Sequence, residues 1–121
     1  INPQKASASQ GGAVTVTATS NYVLDDSHNV DISITAYVEY AYDEGAYGWV
    51  INIIPQSWSK TSDNVTIDNM DYADDYGYTT STATYIFYYT AHAAYGEGNY
   101  DGYVRFNFSV DEWGDINYWL D

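Results

Sequence analysis

A chain of 121 residues with 17 carboxylates, three basic residues and a formal net charge of −14 has the size of one domain. Its charge repels polyanions, which excludes nucleic acid and anionic membrane surfaces as partners. No apolar run approaches the roughly 18 residues of a membrane-spanning helix, and the absence of cysteine excludes disulfides, thiolate metal ligands and a cysteine nucleophile.

The 45 % hydrophobic content is enough for a packed core and argues against disorder. The imbalance of note is between 15 Tyr, 4 Trp and 3 Phe on one side and only Lys5, Lys60 and Arg105 on the other. Richness in Tyr, Thr, Ser, Asn, Asp and Gly points to an extracellular or cell-surface setting. Ile1-Asn2-Pro3-Gln4-Lys5 has no basic segment followed by an apolar one; a mature product whose leader had been removed reads the same way.

In chain order, Ile1 to Gln10 is polar and Gly11-Gly12 follows. The expected division is therefore a flexible N-terminal arm over 1–12 and a β-domain over 13–121. Ala13 to Thr19 reads as a strand with Val14, Val16 and Ala18 inward. Asp25-Asp26-Ser27-His28 reads as a polar loop. Asn29 to Asp43 alternates strictly: Val30, Ile32, Ile34, Ala36, Val38, Tyr40 and Tyr42 on one face, polar and small residues on the other. A period of two over that length marks a strand with one buried face, since a helix would scatter the apolar residues around its axis. Tyr47 to Ile54 is a strand including Trp49, Ile51 and Ile53, with Pro55 ending it or marking an edge.

Val65 and Ile67 mark a short strand, and Asp68 to Tyr76 has room for one helical turn at most. Thr79 to His92 is a long strand with Ala83, Tyr85, Phe87, Tyr89 and Ala91 inward. Tyr103 to Val110 turns Val104, Phe106, Phe108 and Val110 one way and Tyr103, Arg105, Asn107 and Ser109 the other. Ile116, Tyr118 and Leu120 form a last strand. Asp43-Glu44-Gly45-Ala46, Gly96-Glu97-Gly98-Asn99 and Trp113-Gly114-Asp115 supply the turns. About seven strands with turn signals between them predict a single antiparallel β-sandwich, Ig-like or jelly-roll-like, with little or no helix; a closed barrel is the alternative.

The chemistry candidates are few. The histidines are His28, in the polar loop, and His92, at a strand end; nothing brings a serine and an aspartate into a triad with either. Carboxylates are too abundant for a chance pair to signal glycoside hydrolysis. No catalysis is expected and no cofactor is required. Acids cluster at Asp25, Asp26 and Asp31, and again from Asp63 to Asp75. The favoured reading is a solvated acidic loop. If a metal is held, calcium is the candidate, with Asp71, Asp74 and Asp75 as ligands, because so many acids in one loop repel each other without a cation.

The aromatic residues carry the functional expectation. Alternation puts Tyr37, Tyr88, Tyr103 and Trp119 on outward faces, and Tyr72, Tyr76, Tyr78, Tyr95 and Tyr100 in or beside loops. Many such rings close sandwich ends and edges, but a core of this size cannot hide all of them. The leading expectation is a secreted or surface structural or adhesive subunit that self-assembles, as a fibre or matrix component, through strand edges and exposed aromatics, with the arm donated to a neighbour. The alternative is a carbohydrate-binding module in which Tyr37, Tyr88, Tyr103 and Trp119 stack on sugar rings. Two sequons, Asn64-Val65-Thr66 and Asn107-Phe108-Ser109, are candidate N-glycan acceptors.

Overall fold

A computed structural model describes residues 10–74 and 80–121; the first nine residues of the expected arm, and Asp75, Tyr76 and Tyr78, lie outside them. Seven strands follow in order: β1 (Gln10–Asp25), β2 (His28–Asp43), β3 (Tyr47–Thr61), β4 (Val65–Asp74), β5 (Thr82–Ala93), β6 (Asn99–Val110) and β7 (Ile116–Leu120). They form two antiparallel sheets, β1-β2-β3 and β4-β5-β6-β7, packed as a β-sandwich. Neighbours in each sheet are neighbours in sequence. The connectivity is thus two meanders, and the Greek-key crossing of Ig and jelly-roll sandwiches is absent among the described strands.

Alternation explains the core. Val30, Ile32, Ile34, Ala36 and Val38 of β2 are fully buried, as are Val104, Phe106 and Phe108 of β6. All five expected inward residues of β5 are buried. The three-stranded sheet contributes mainly branched aliphatics and the four-stranded sheet contributes the rings. Branched side chains stiff at χ1 therefore fill the gaps between Tyr85, Phe87, Phe106 and Phe108. Tyr40 extends this packing to Phe108, with ring centroids 5.8 Å apart.

Several elements differ from the sequence expectation. β1 begins at Gln10 and continues to Asp25, so Gln10, Gly11 and Gly12 pair with Tyr42, Ala41 and Tyr40. The polar loop shrinks to Asp26-Ser27, with Asp25 paired to His28; Asp25 Oδ1 accepts the Ser27 N–H at 2.8 Å, an Asx-type turn. β3 runs through Pro55 to Thr61. Its register against β2 shifts between the Asn52 and Val50 pairings and again around Pro55. The first shift leaves Ile51 unpaired, which is why Val50 and Ile53 are buried while Ile51 is 43 % exposed. The short strand expected at Val65 and Ile67 extends to Asp74 as β4, through residues with room for one helical turn at most; pairing with the long β5 overrides the acidic composition, as tertiary context does for weak local propensity. Gly45 (φ 77°) and Gly114 (φ 84°) occupy the left-handed region that the β2–β3 and β6–β7 turns require.

Candidate functional site

The outer face of the four-stranded sheet gathers three of the four expected contact residues. Tyr88 pairs with Tyr103, and Trp119 pairs with Asn107. Their exposures are 50 %, 53 % and 37 %. Tyr37 is elsewhere: it pairs with Thr15 and Ile54 on the outer face of the three-stranded sheet, so the four do not form one patch. Around Tyr37 that sheet is a ladder of hydroxyls and amides, with Thr17–Thr35 at 2.7 Å, Thr19–Ser33 at 2.6 Å and Asn21 donating to Asp31 at 2.9 Å.

Between the tyrosine pair and Trp119 lies a polar network. Arg105 Nε donates to Asp121 Oδ1 at 2.8 Å. The Asn107 amide donates to the same oxygen at 3.1 Å and accepts from Thr84 Oγ1 at 2.7 Å. Arg105 Cζ lies 5.8 Å from the Tyr103 ring centroid, within cation–π range. Thr84, Ile86, Tyr88, Tyr103, Arg105, Asn107 and Asp121 line an open depression of about 480 Å³. Arg105 and Asn107 share the outward parity of Tyr103, and Thr84 and Ile86 that of Tyr88, so all four were readable from alternation; Asp121 joins only through its backbone pairing with Arg105. Asn107 has the expected outward parity but is only 6 % exposed, because its amide donates to Trp119 and Asp121 at the end of β7. The Asn64 amide donates to the Ser27 carbonyl at 2.7 Å.

Two of the three expected calcium ligands lie in a strand rather than in a loop. Asp71 and Asp74 lie in β4, paired with Tyr88 and Tyr85. Asp71 accepts from the Asn69 amide at 2.8 Å, and Asp75 lies outside the described residues. Among the described residues no three His, Asp or Glu side chains converge as metal ligands would.

Each histidine meets a carboxylate. His92 Nδ1 is 2.7 Å from Asp68 Oδ1. Asp25 receives three contacts: the Tyr100 hydroxyl donates to Oδ2 at 2.6 Å, and the Ser27 N–H and His28 Nδ1 each lie 2.8 Å from Oδ1. The cluster ties the β1–β2 turn to β6 at the surface. The Tyr100 hydrogen bond first, then those of Ser27 and His28, hold the Asp25 carboxyl well below its ordinary 3.8; the same bond raises Tyr100. A depressed folded pKa contributes stability above the unfolded value and loses it as pH falls through the window below 3.8. Tyr100→Phe removes the leading cause. Urea midpoints from about pH 6 to about pH 2 are expected to show wild type ahead of Tyr100→Phe at the upper end and the gap closing below the ordinary Asp range. A gap independent of pH would refute this assignment.

The four sheet edges differ in how they meet solvent. β3 carries Pro55, Lys60 and two register shifts, and Val50 N–H donates to the Thr80 carbonyl at 2.9 Å. β4 carries a register shift between Ile67 and Asn69 together with Asp68 and Asp71. β7 has five residues. These are the devices that keep edges from pairing with other chains. β1 has 16 residues, no proline, no charge before Asp25 and regular pairing as far as Val23. Glu39 lies in central strand β2, not at an edge. The Tyr22 hydroxyl donates to the Asp121 carbonyl at 3.2 Å, a burial site that raises the phenol's pKa. Among the described residues β1 forms a backbone ladder with β2 alone. No family model, curated protein or solved structure matches the chain.

Proposed function

We propose that the chain is a non-catalytic structural or adhesive subunit that self-associates edge to edge through β1, in an extracellular or cell-surface setting. The observation that supports this reading most is the contrast among edges: three carry protection and the longest carries none. A long regular edge with unmade backbone hydrogen bonds is a template for another strand. A second copy suits it. Antiparallel β1–β1 pairing around a two-fold axis is self-complementary, and it joins two three-stranded sheets into one continuous sheet. The charge-free stretch from Gln10 to Leu24 lets two chains of net charge −14 meet where neither carries a carboxylate. The remaining repulsion acts at longer range and is screened by salt.

The test is light scattering and sedimentation over a concentration series at low and high salt, on wild type and Thr17→Glu. Thr17 is exposed near the middle of β1, and glutamate there puts charge into the new ladder without touching the core. Wild type is expected to form dimers or larger assemblies that strengthen with salt, and Thr17→Glu to remain monomeric with an unchanged circular dichroism spectrum. A wild-type chain monomeric at millimolar concentration in high salt would sink the proposal.

A further inference from the structure

We propose a second, independent property: the outer face of the four-stranded sheet binds a neutral saccharide chain across Tyr88, Tyr103, Arg105, Asp121 and Trp119. The site has two rings at one end and one at the other. Outward rows along a strand are two residues apart, and Tyr103 and the Asn107–Trp119 pair are two rows apart, or roughly 13 Å at 3.3–3.4 Å per residue. That spacing suits an oligosaccharide better than a single sugar. The apolar faces of pyranose rings, like other flat apolar surfaces, pack on half-exposed tyrosine and tryptophan, which give large contact area at low entropic cost.

The centre of the site selects the ligand class. Arg105 meets Asp121 through Nε and Oδ1, which leaves its terminal nitrogens as further donors and Asp121 Oδ2 as a further acceptor on two residues that line the depression. A hydroxyl both donates and accepts, so neighbouring sugar hydroxyls can satisfy both groups at once. An apolar protein side chain placed there would desolvate the ion pair without replacing its water contacts. A polyanionic glycan meets one arginine already paired with Asp121, on a chain of net charge −14, and is repelled. The Asn107 amide, itself held by the Thr84 hydroxyl, donates to Asp121, so the polar groups are positioned before a ligand arrives, which lowers the ordering cost of binding. A depression of about 480 Å³ lies within the size range of small-ligand sites.

The test uses the Thr17→Glu background, so that failure of edge pairing and failure of this site are read separately. Neutral oligosaccharides of glucose, mannose, xylose and N-acetylglucosamine are titrated by calorimetry and intrinsic fluorescence, with polygalacturonate as the anionic comparison. At least one neutral series is expected to bind. Affinity should fall about tenfold or more in Tyr103→Ala and survive in Tyr103→Phe, with melting temperatures near the parent's, since Tyr103 is half exposed. The proposal is overturned if no neutral saccharide binds, if polygalacturonate alone binds, or if Tyr88→Ala and Tyr103→Ala together leave the affinity unchanged.

Discussion

Phe106→Ala is expected to remove about 3–5 kcal/mol of stability, a large share of the roughly 5–15 kcal/mol that holds a domain of this kind together. Phe106 is fully buried in the centre of β6, with Tyr85 of β5 on one side and Leu120 of β7 on the other. Truncation loses the ring's transfer free energy. It also leaves a cavity that the flanking strands cannot close, because their ladders fix the backbone on both sides. Urea denaturation followed by tryptophan fluorescence gives the number, and Val23→Ala is the comparison. Val23 is 74 % exposed, so its loss is expected to stay within about 0.5 kcal/mol. A cost for Phe106→Ala under about 1 kcal/mol would mean that the centre of the core lies elsewhere.

Gly48→Ala is expected to destabilise by about 1–3 kcal/mol through overpacking, although only one methyl group is added. A Cβ at Gly48 would stand 2.5 Å from the Asp111 carbonyl oxygen and 2.8 Å from that of Val110. Those carbonyls cannot swing aside as a side chain would. Val110 N–H is bonded to the Ser81 carbonyl and Asp111 N–H to the Asp115 carbonyl, each at 2.9 Å, so the backbone that would have to move is anchored. Gly11→Ala is the contrast. Among the described residues its Cβ would meet nothing nearer than the Tyr40 carbonyl at 3.8 Å, and alanine restricts the unfolded chain, so that change is expected to be neutral or to stabilise by up to about 1 kcal/mol. Thermal melts of the two variants should move apart. Equal effects would show that the contact between β3 and the β6–β7 turn is looser than 2.5 Å implies.

The elements that alternation identifies are those with one wet and one dry face. In β2 as far as Val38, in β5, and in β6 apart from Asn107, burial follows parity, so those inward sets could be read residue by residue; past the register shift at Glu39 and Tyr40 Ala41 is buried and Tyr40 and Tyr42 are half-buried. β3 failed that reading at Ile51, because a register shift adds a residue on one strand only and reverses parity beyond it. β4 failed it because its exposed acids and its pairing with β5 pull in opposite directions, and the pairing prevails. The candidate site was half legible. Tyr88, Tyr103 and Trp119 follow from parity, and Tyr37 follows equally well yet faces away from them. Parity says which face of a strand a residue occupies, and nothing about which sheet the strand joins.

The sequence by itself determined the all-β class and most of the inward residues of β2, β5 and β6, because each depends on composition or on a period within one strand. Only the tertiary structure decided the two-meander connectivity, the identity of β1 as the unprotected edge and the joining of Arg105 to Asp121 beneath the tyrosine pair. Those depend on which strands lie side by side. Such long-range pairings are set by how whole faces bury against each other, and no local run of residues encodes that choice.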